Sequence, residues 1–219
     1  MARPIRFCFD YLSPYAYLAS TQIRALGARH GCAVEPVPVL FVALLGANGT
    51  RGPAEIPRKR AYIFKDVLRL AHALGQPIDL PASHPFNPLL ALRATTAVAE
   101  PDARWELVHA LFRATWVEGL RVEEPEVVAR IATAAGLDGA GLVAAASQPE
   151  VKARLRTSTD EALAAGTFGV PTMLVEAELF WGVDSLPHLE RYLRGEDPVT
   201  QAAAARWEGL RPSATRAGA

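Results

Sequence analysis

Residues 43–148 show no strand-like alternation of apolar and polar side chains, only apolar residues at three- and four-residue spacing, and this stretch constrains the fold more than any other feature. The spacing predicts helices over 58–74, 87–98, 104–118, 125–135 and 139–147, separated by Gly or Pro. On the N-terminal side, 5–9 reads as a buried strand, 10–14 as a sharp turn and 15–30 as a helix. A strand follows over 34–39, and its two prolines push it towards a sheet edge. On the C-terminal side, 149–165 reads as a helix closed by Gly166, 172–175 and 179–182 as hairpin strands, and 185–193 as the final helix. The tail over 211–219, rich in Ser, Ala and Gly, is expected to be flexible. A βαβ half and a ββα half joined across a helical insertion satisfy this order, whereas an uninterrupted doubly wound sheet does not.

A chain of 219 residues, half of them apolar, supports one substantial core with an inserted subdomain. Lys plus Arg and Asp plus Glu both total 23, so no global field of either sign favours nucleic acid or an anionic membrane. A small molecule or a protein is the expected partner. The apolar run at 5–9 is far shorter than a secretory or membrane-spanning segment, and no later run reaches the length of about 18 residues that a span needs. A cytoplasmic location is therefore expected. Cys8 and Cys32 lack Cys-x-x-Cys or zinc-ligand spacing and read as reduced core thiols. His30, His72, His84, His109 and His188 lack ligand spacing as well, so no metal is expected.

Three clusters carry potential chemistry. In Asp10-Tyr11-Leu12-Ser13-Pro14-Tyr15-Ala16-Tyr17, a turn feeds a helix, whose first N–H groups favour an anion. On spacing alone, the simpler reading of Ser13 is an N-cap followed by proline at the first helical position. In Phe168-Gly169-Val170-Pro171-Thr172, a cis Val-Pro bond would free the Val170 backbone to pair with an extended peptide, and a plain turn is the alternative. In Phe180-Trp181-Gly182-Val183-Asp184-Ser185, the last two residues stand at a helix start, where they either cap it or hold an ammonium group. Tyr15, Tyr17, Tyr62, Phe86 and Trp181 read as core or pocket wall, with Tyr15 nearest the chemistry.

Taken in order, these clusters resemble the active-site turn and the Val/cis-Pro loop of DsbA-type oxidoreductases, with Ser13-Pro14-Tyr15-Ala16 aligned over their Cys-Pro-x-Cys. Both cysteines of that motif are replaced, which rules out thiol–disulfide exchange by it. Together with Asn87-Pro88, the clusters look like those of the 2-hydroxychromene-2-carboxylate isomerases and the related kappa-class glutathione transferases, over nearly the whole chain from Arg6 to Leu193. The resemblance implies an α/β, thioredoxin-like fold of the DsbA/kappa type, with 1–42 and 149–210 forming the thioredoxin-like domain and 43–148 an all-helical insertion. It also implies a homodimer.

The resemblance further implies a glutathione site. Ser13 would donate its hydroxyl to the glutathione sulfur and favour the thiolate. Val170, ahead of Pro171, would pair with the cysteinyl part, Asp184 and Ser185 would hold the γ-glutamyl end, and Tyr15, Asn48 and Lys59 would lie near the tripeptide. A small aromatic carboxylate would be the substrate, with Asn87 and Lys59 holding its carboxylate. The implied reaction is glutathione-dependent isomerisation by reversible thiolate addition. A kappa-like transferase or peroxidase and a non-catalytic peptide-binding module are the competing readings.

Overall fold

The computed structural model describes residues 4–211 and 213. Four strands, β1 (Ile5–Phe9), β2 (Val34–Pro38), β3 (Thr172–Val175) and β4 (Glu178–Trp181), form one sheet in the order β2-β1-β3-β4. β2 runs parallel to β1, and β3 and β4 run antiparallel to their neighbours. β2 is an edge strand, as its prolines require, because Pro has no N–H to give a second partner. The helices are α1 (Pro14–Arg29), α2 (Phe41–Ala47), α3 (Pro57–Leu74), α4 (Leu89–Ala97), α5 (Pro101–Trp116), α6 (Pro125–Ala134), α7 (Gly139–Ala145), α8 (Pro149–Ala164), α9 (Leu186–Leu193) and α10 (Gln201–Glu208). The fold is the thioredoxin-like one, with a run of helices placed between its βαβ and ββα halves.

Alternation along β1 sorts its side chains onto two faces. Ile5, Phe7 and Phe9 enter the main hydrophobic cluster, where Phe7 stacks on Trp105 with ring centroids 5.7 Å apart and Phe9 meets Phe112 at 5.5 Å. Cys8 points the other way, into a smaller cluster with Leu44 of α2 and Ala162 of α8. Trp105 also donates its indole N–H to the Val34 carbonyl at 2.7 Å, tying α5 to the edge strand. One continuous core thus joins the sheet to the inserted helices. Burial pushes the Cys8 thiol up to about 12, which keeps it protonated and unreactive. Cys32 is half-buried, and both cysteines are free.

Gly27 is required by close packing. A Cβ there would lie 2.5 Å from Val34 Cγ2 and 2.8 Å from the Cys32 carbonyl oxygen. Overpacking costs about 1–3 kcal/mol, against about 1 kcal/mol of helix propensity that alanine supplies. Gly27→Ala is therefore expected to lower the urea midpoint. Gly46→Ala, in α2 with nothing within 4 Å of the new methyl, should raise it slightly.

Several boundaries differ from the sequence expectation, for local reasons. α4 begins at Leu89 rather than residue 87 because the Asn87 side-chain oxygen accepts the Leu89 N–H at 3.0 Å and makes the entry a turn. α5 begins earlier, with Pro101 in its first turn. α2 is an additional short helix. The helix over 186–193 is not the last, since Thr200 accepts the Ala203 N–H at 3.1 Å and starts α10 through an alanine-rich run. The tail expected to be flexible, apart from Arg211 and Ser213, lies outside the described residues. Among the described residues no helix is long and apolar enough to cross a membrane, and no cluster of three or more His, Cys, Asp or Glu could hold a metal ion.

Candidate active site

The turn after β1 is built around a buried carboxyl. Asp10, fully shielded from solvent, accepts the Leu12 N–H at 3.0 Å on one oxygen and the Phe41 N–H at 2.9 Å on the other. Burial raises its pKa to about 7, and the two N–H donors only partly oppose that rise. The Asp10 carbonyl then accepts the Ser13 N–H at 3.1 Å, closing the turn. The next two carbonyls are held as well: Tyr11 by the Trp116 indole N–H at 2.9 Å, and Leu12 by a ring nitrogen of His84 at 3.0 Å. A carbonyl can only accept, so His84 Nε2 carries the proton. Burial lowers the His84 pKa, and its ring lies 5.8 Å from Phe64 and 5.6 Å from Trp116.

Two separate helices, α2 and α5, and the loop that carries His84 therefore fix the segment that delivers Ser13. Its hydroxyl caps α1 by accepting the Ala16 N–H at 3.1 Å. The same hydroxyl donates to the Val170 carbonyl at 3.3 Å, a long and hence weak bond. Val170 precedes Pro171 through a cis peptide bond. Ser13 and Val170 are both buried, at 7% and 8% exposure. Pro14 has no N–H, and among the described residues no partner occurs for the Tyr15 N–H, which leaves that first-turn donor for a guest.

Tyr15 leans towards α3 and donates its hydroxyl to Asp66 at 2.9 Å. Burial raises its pKa first, followed by the Asp66 bond and charge, with Tyr62 and Asp184 adding to the rise. Asp184 thus lies within electrostatic reach of Tyr15 and is itself exposed, on a turn after Gly182. Ser185 does not cap α9: its hydroxyl donates back to the Gly182 carbonyl at 2.8 Å, and the helix start has no side-chain cap.

Ser13 is brought against Val170, the residue ahead of Pro171, while Tyr15 follows in the first turn of α1 with Asp184 within electrostatic reach. Asn48, Lys59 and Asn87 are exposed, and no hydrogen bond ties them to that group. Asn48 donates to the Leu44 carbonyl at 2.8 Å at the end of α2, while Lys59 projects from the first turn of α3. Two aromatic rings flank the cis-proline loop: Phe168 and Trp181, both exposed, with centroids 5.1 Å apart. Gly169 is required beneath them, since a Cβ there would lie 2.6 Å from Trp181 Nε1. Tyr17 and Phe86 do sit in or against the core, but Tyr62, like Trp181, is exposed. Asp10, His84 and Trp116 carry site-shaping roles that sequence reasoning did not assign. Asp10 heads the first cluster, but nothing in the chain marks its Phe41 partner, and no pattern marks His84 or Trp116, because each acts through a carbonyl or amide that only folding brings near.

Residues 4–194 match the DSBA-like thioredoxin domain. The chain is 30% identical over 195 residues to a 2-hydroxychromene-2-carboxylate isomerase of Sphingobium xenophagum, covering 88% of this chain and 99% of that protein. It is 26% identical over 223 residues to human glutathione S-transferase kappa 1, covering 94% and 98%. Among solved structures, a 2-hydroxychromene-2-carboxylate isomerase superposes with a TM-score of 0.81 at 25% identity, over 87% of this chain and 94% of that one.

Proposed function

Because the chain belongs to the DSBA-like thioredoxin domain family, and within it to the 2-hydroxychromene-2-carboxylate isomerases and their kappa-class relatives, we propose that it is a glutathione-dependent isomerase. Its reaction interconverts 2-hydroxychromene-2-carboxylate-type hemiketals with trans-o-hydroxybenzylidenepyruvates. The observation that carries this reading is the placement of Ser13: a hydroxyl at the head of α1, held by a weak bond to the loop that a tripeptide would occupy. Both relatives named above are enzymes, one an isomerase and one a glutathione transferase.

The residues fit glutathione. Ser13 would donate its hydroxyl to the sulfur, and the Val170 backbone would pair with the cysteinyl part of the tripeptide. The Tyr15 N–H and the positive end of α1 add to the preference for a negative sulfur. Asp184 and Ser185 hold the γ-glutamyl ammonium group. Asn48 and Lys59 flank the peptide, and Lys59 with Asn87 receives the substrate carboxylate. When bound, glutathione supplies a thiolate whose reversible addition to the conjugated carbon lets a formerly double bond rotate. Phe168 and Trp181 offer apolar rings beside the loop for an aromatic substrate. Residues 1–42 and 149–210 form the thioredoxin-like domain, and 43–148 the helical insertion. The enzyme works as a cytoplasmic homodimer.

A second reading, a kappa-like transferase, is favoured by the 26% identity that runs almost end to end through the human kappa enzyme. Glutathione balance separates the two. Incubated with trans-o-hydroxybenzylidenepyruvate, the enzyme is expected to shift the substrate's ultraviolet spectrum towards the hemiketal while total free thiol stays constant. Stoichiometric loss of thiol would instead establish conjugation. No turnover, with no heat on titrating glutathione, would leave a peptide-binding module.

A further inference from the structure

A polar, partly open cleft of about 240 Å³ shares no residue with the Ser13 site. Its walls are Pro38 at the end of β2, Thr96 of α4, Arg104 of α5, and Arg154, Thr157 and Ser158 of α8. The α8 residues stand at i, i+3 and i+4, so one helical face supplies half of the lining. Arg104 is anchored, donating through Nε to the Val98 carbonyl at 2.8 Å and through Nη1 to the Pro36 carbonyl at 3.5 Å. Those bonds go to neutral oxygens, so no hydrogen-bonded carboxylate offsets its charge. Among the described residues neither Arg104 nor Arg154 has a carboxylate within ion-pair distance. Burial and the neighbouring Arg154 cation both pull the Arg104 pKa down, and Glu35 on β2 opposes them only at longer range.

Two guanidiniums without an ion-pair partner line one cleft and repel each other, and an anion that enters relieves the arrangement. Thr157, exposed like Arg154, adds a hydroxyl at the rim. A guanidinium fork suits a tetrahedral oxyanion, and two of them suit a doubly charged one better than a single carboxylate. The volume lies below the range of about 300–1,000 Å³ usual for drug-sized ligands, so the occupant is compact. We propose that this cavity between α4, α5 and α8 is a binding site for a phosphate group, carried either by inorganic phosphate or by a small phosphomonoester.

Calorimetry on the full chain in low-salt buffer tests this, with inorganic phosphate and glycerol 3-phosphate as separate probes. One saturable site is expected, weakened about tenfold in Arg154→Gln and unchanged in Arg130→Gln, an exposed arginine of α6. Tighter binding of glycerol 3-phosphate assigns the site to phosphomonoesters, and tighter binding of inorganic phosphate to the free ion; either upholds it. Failure of both probes to saturate, or equal losses in the two arginine variants, overturns it. If Arg154→Gln folds poorly, Thr157→Glu sets a carboxylate in the cavity and is expected to abolish binding. Retained binding in that variant would equally overturn the site.

Discussion

Replacing Ser13 with alanine is expected to lower turnover about ten- to hundredfold at neutral pH, with the ultraviolet thiolate band of bound glutathione falling in parallel. A charge-assisted hydrogen bond is worth about 1.5–3 kcal/mol, which corresponds to about one to two units of thiol pKa. An unperturbed thiol near 8.5 moves through neutrality over that interval, so the anion changes from abundant to scarce. Ser13 also caps α1, and losing a cap costs about 1 kcal/mol of stability, which confounds the alanine variant. Ser13→Gly resolves the two effects, because glycine at an N-cap costs only a few tenths of a kcal/mol while removing the same hydroxyl. Both variants should lose the thiolate band, and only Ser13→Ala should lose appreciable stability. An undiminished band in both would remove Ser13 from the chemistry.

The larger effect on stability is expected at Asp10. Asp10→Ala orphans the buried N–H of Leu12, at about 1–3 kcal/mol, and the partly buried N–H of Phe41, at up to about as much again. Activity should fall as well, since these bonds shape the turn that presents Ser13. The pH dependence has a definite sign. Burial raises the Asp10 pKa from 3.8 to about 7, so in that interval the folded chain holds a proton that the unfolded chain has lost. This group's contribution to stability therefore declines as pH rises from about 4 to about 7, then levels. His84 and His109 work in the opposite sense, because their pKa values are lowered by burial and the unfolded chain binds the extra protons. Asp10→Asn isolates the carboxyl: its urea-unfolding free energy, relative to that of the native chain, should improve between pH 5 and 7.5. Parallel profiles would show that Asp10 does not titrate in this range.

Much of the frame was legible because its causes are local. The proline pair in β2 marked an edge, Ser13-Pro14 marked a helix start, and the apolar spacing of α3, α6 and α8 placed those helices within a few residues. α2 was missed because seven residues give too few turns for a periodic signal, and the α5 start because Pro101 precedes its first clear apolar repeat. At the candidate site, Ser13 and the Val170-Pro171 loop were readable from motif and order. The reading of Ser185 as a helix cap was not realised: the preceding turn draws its hydroxyl onto Gly182.

By itself the sequence determined the order of elements, the hydroxyl at the head of α1 and the absence of a motif disulfide, since capping, backbone restriction and side-chain period act over a few residues. Only the tertiary structure decided that Asp10 reaches Phe41, that His84 holds the Leu12 carbonyl and that Ser13 faces Val170. Those partners lie 31, 72 and 157 positions apart, and their pairing follows from the burial of polar groups that must find a donor or acceptor wherever the packed core delivers one.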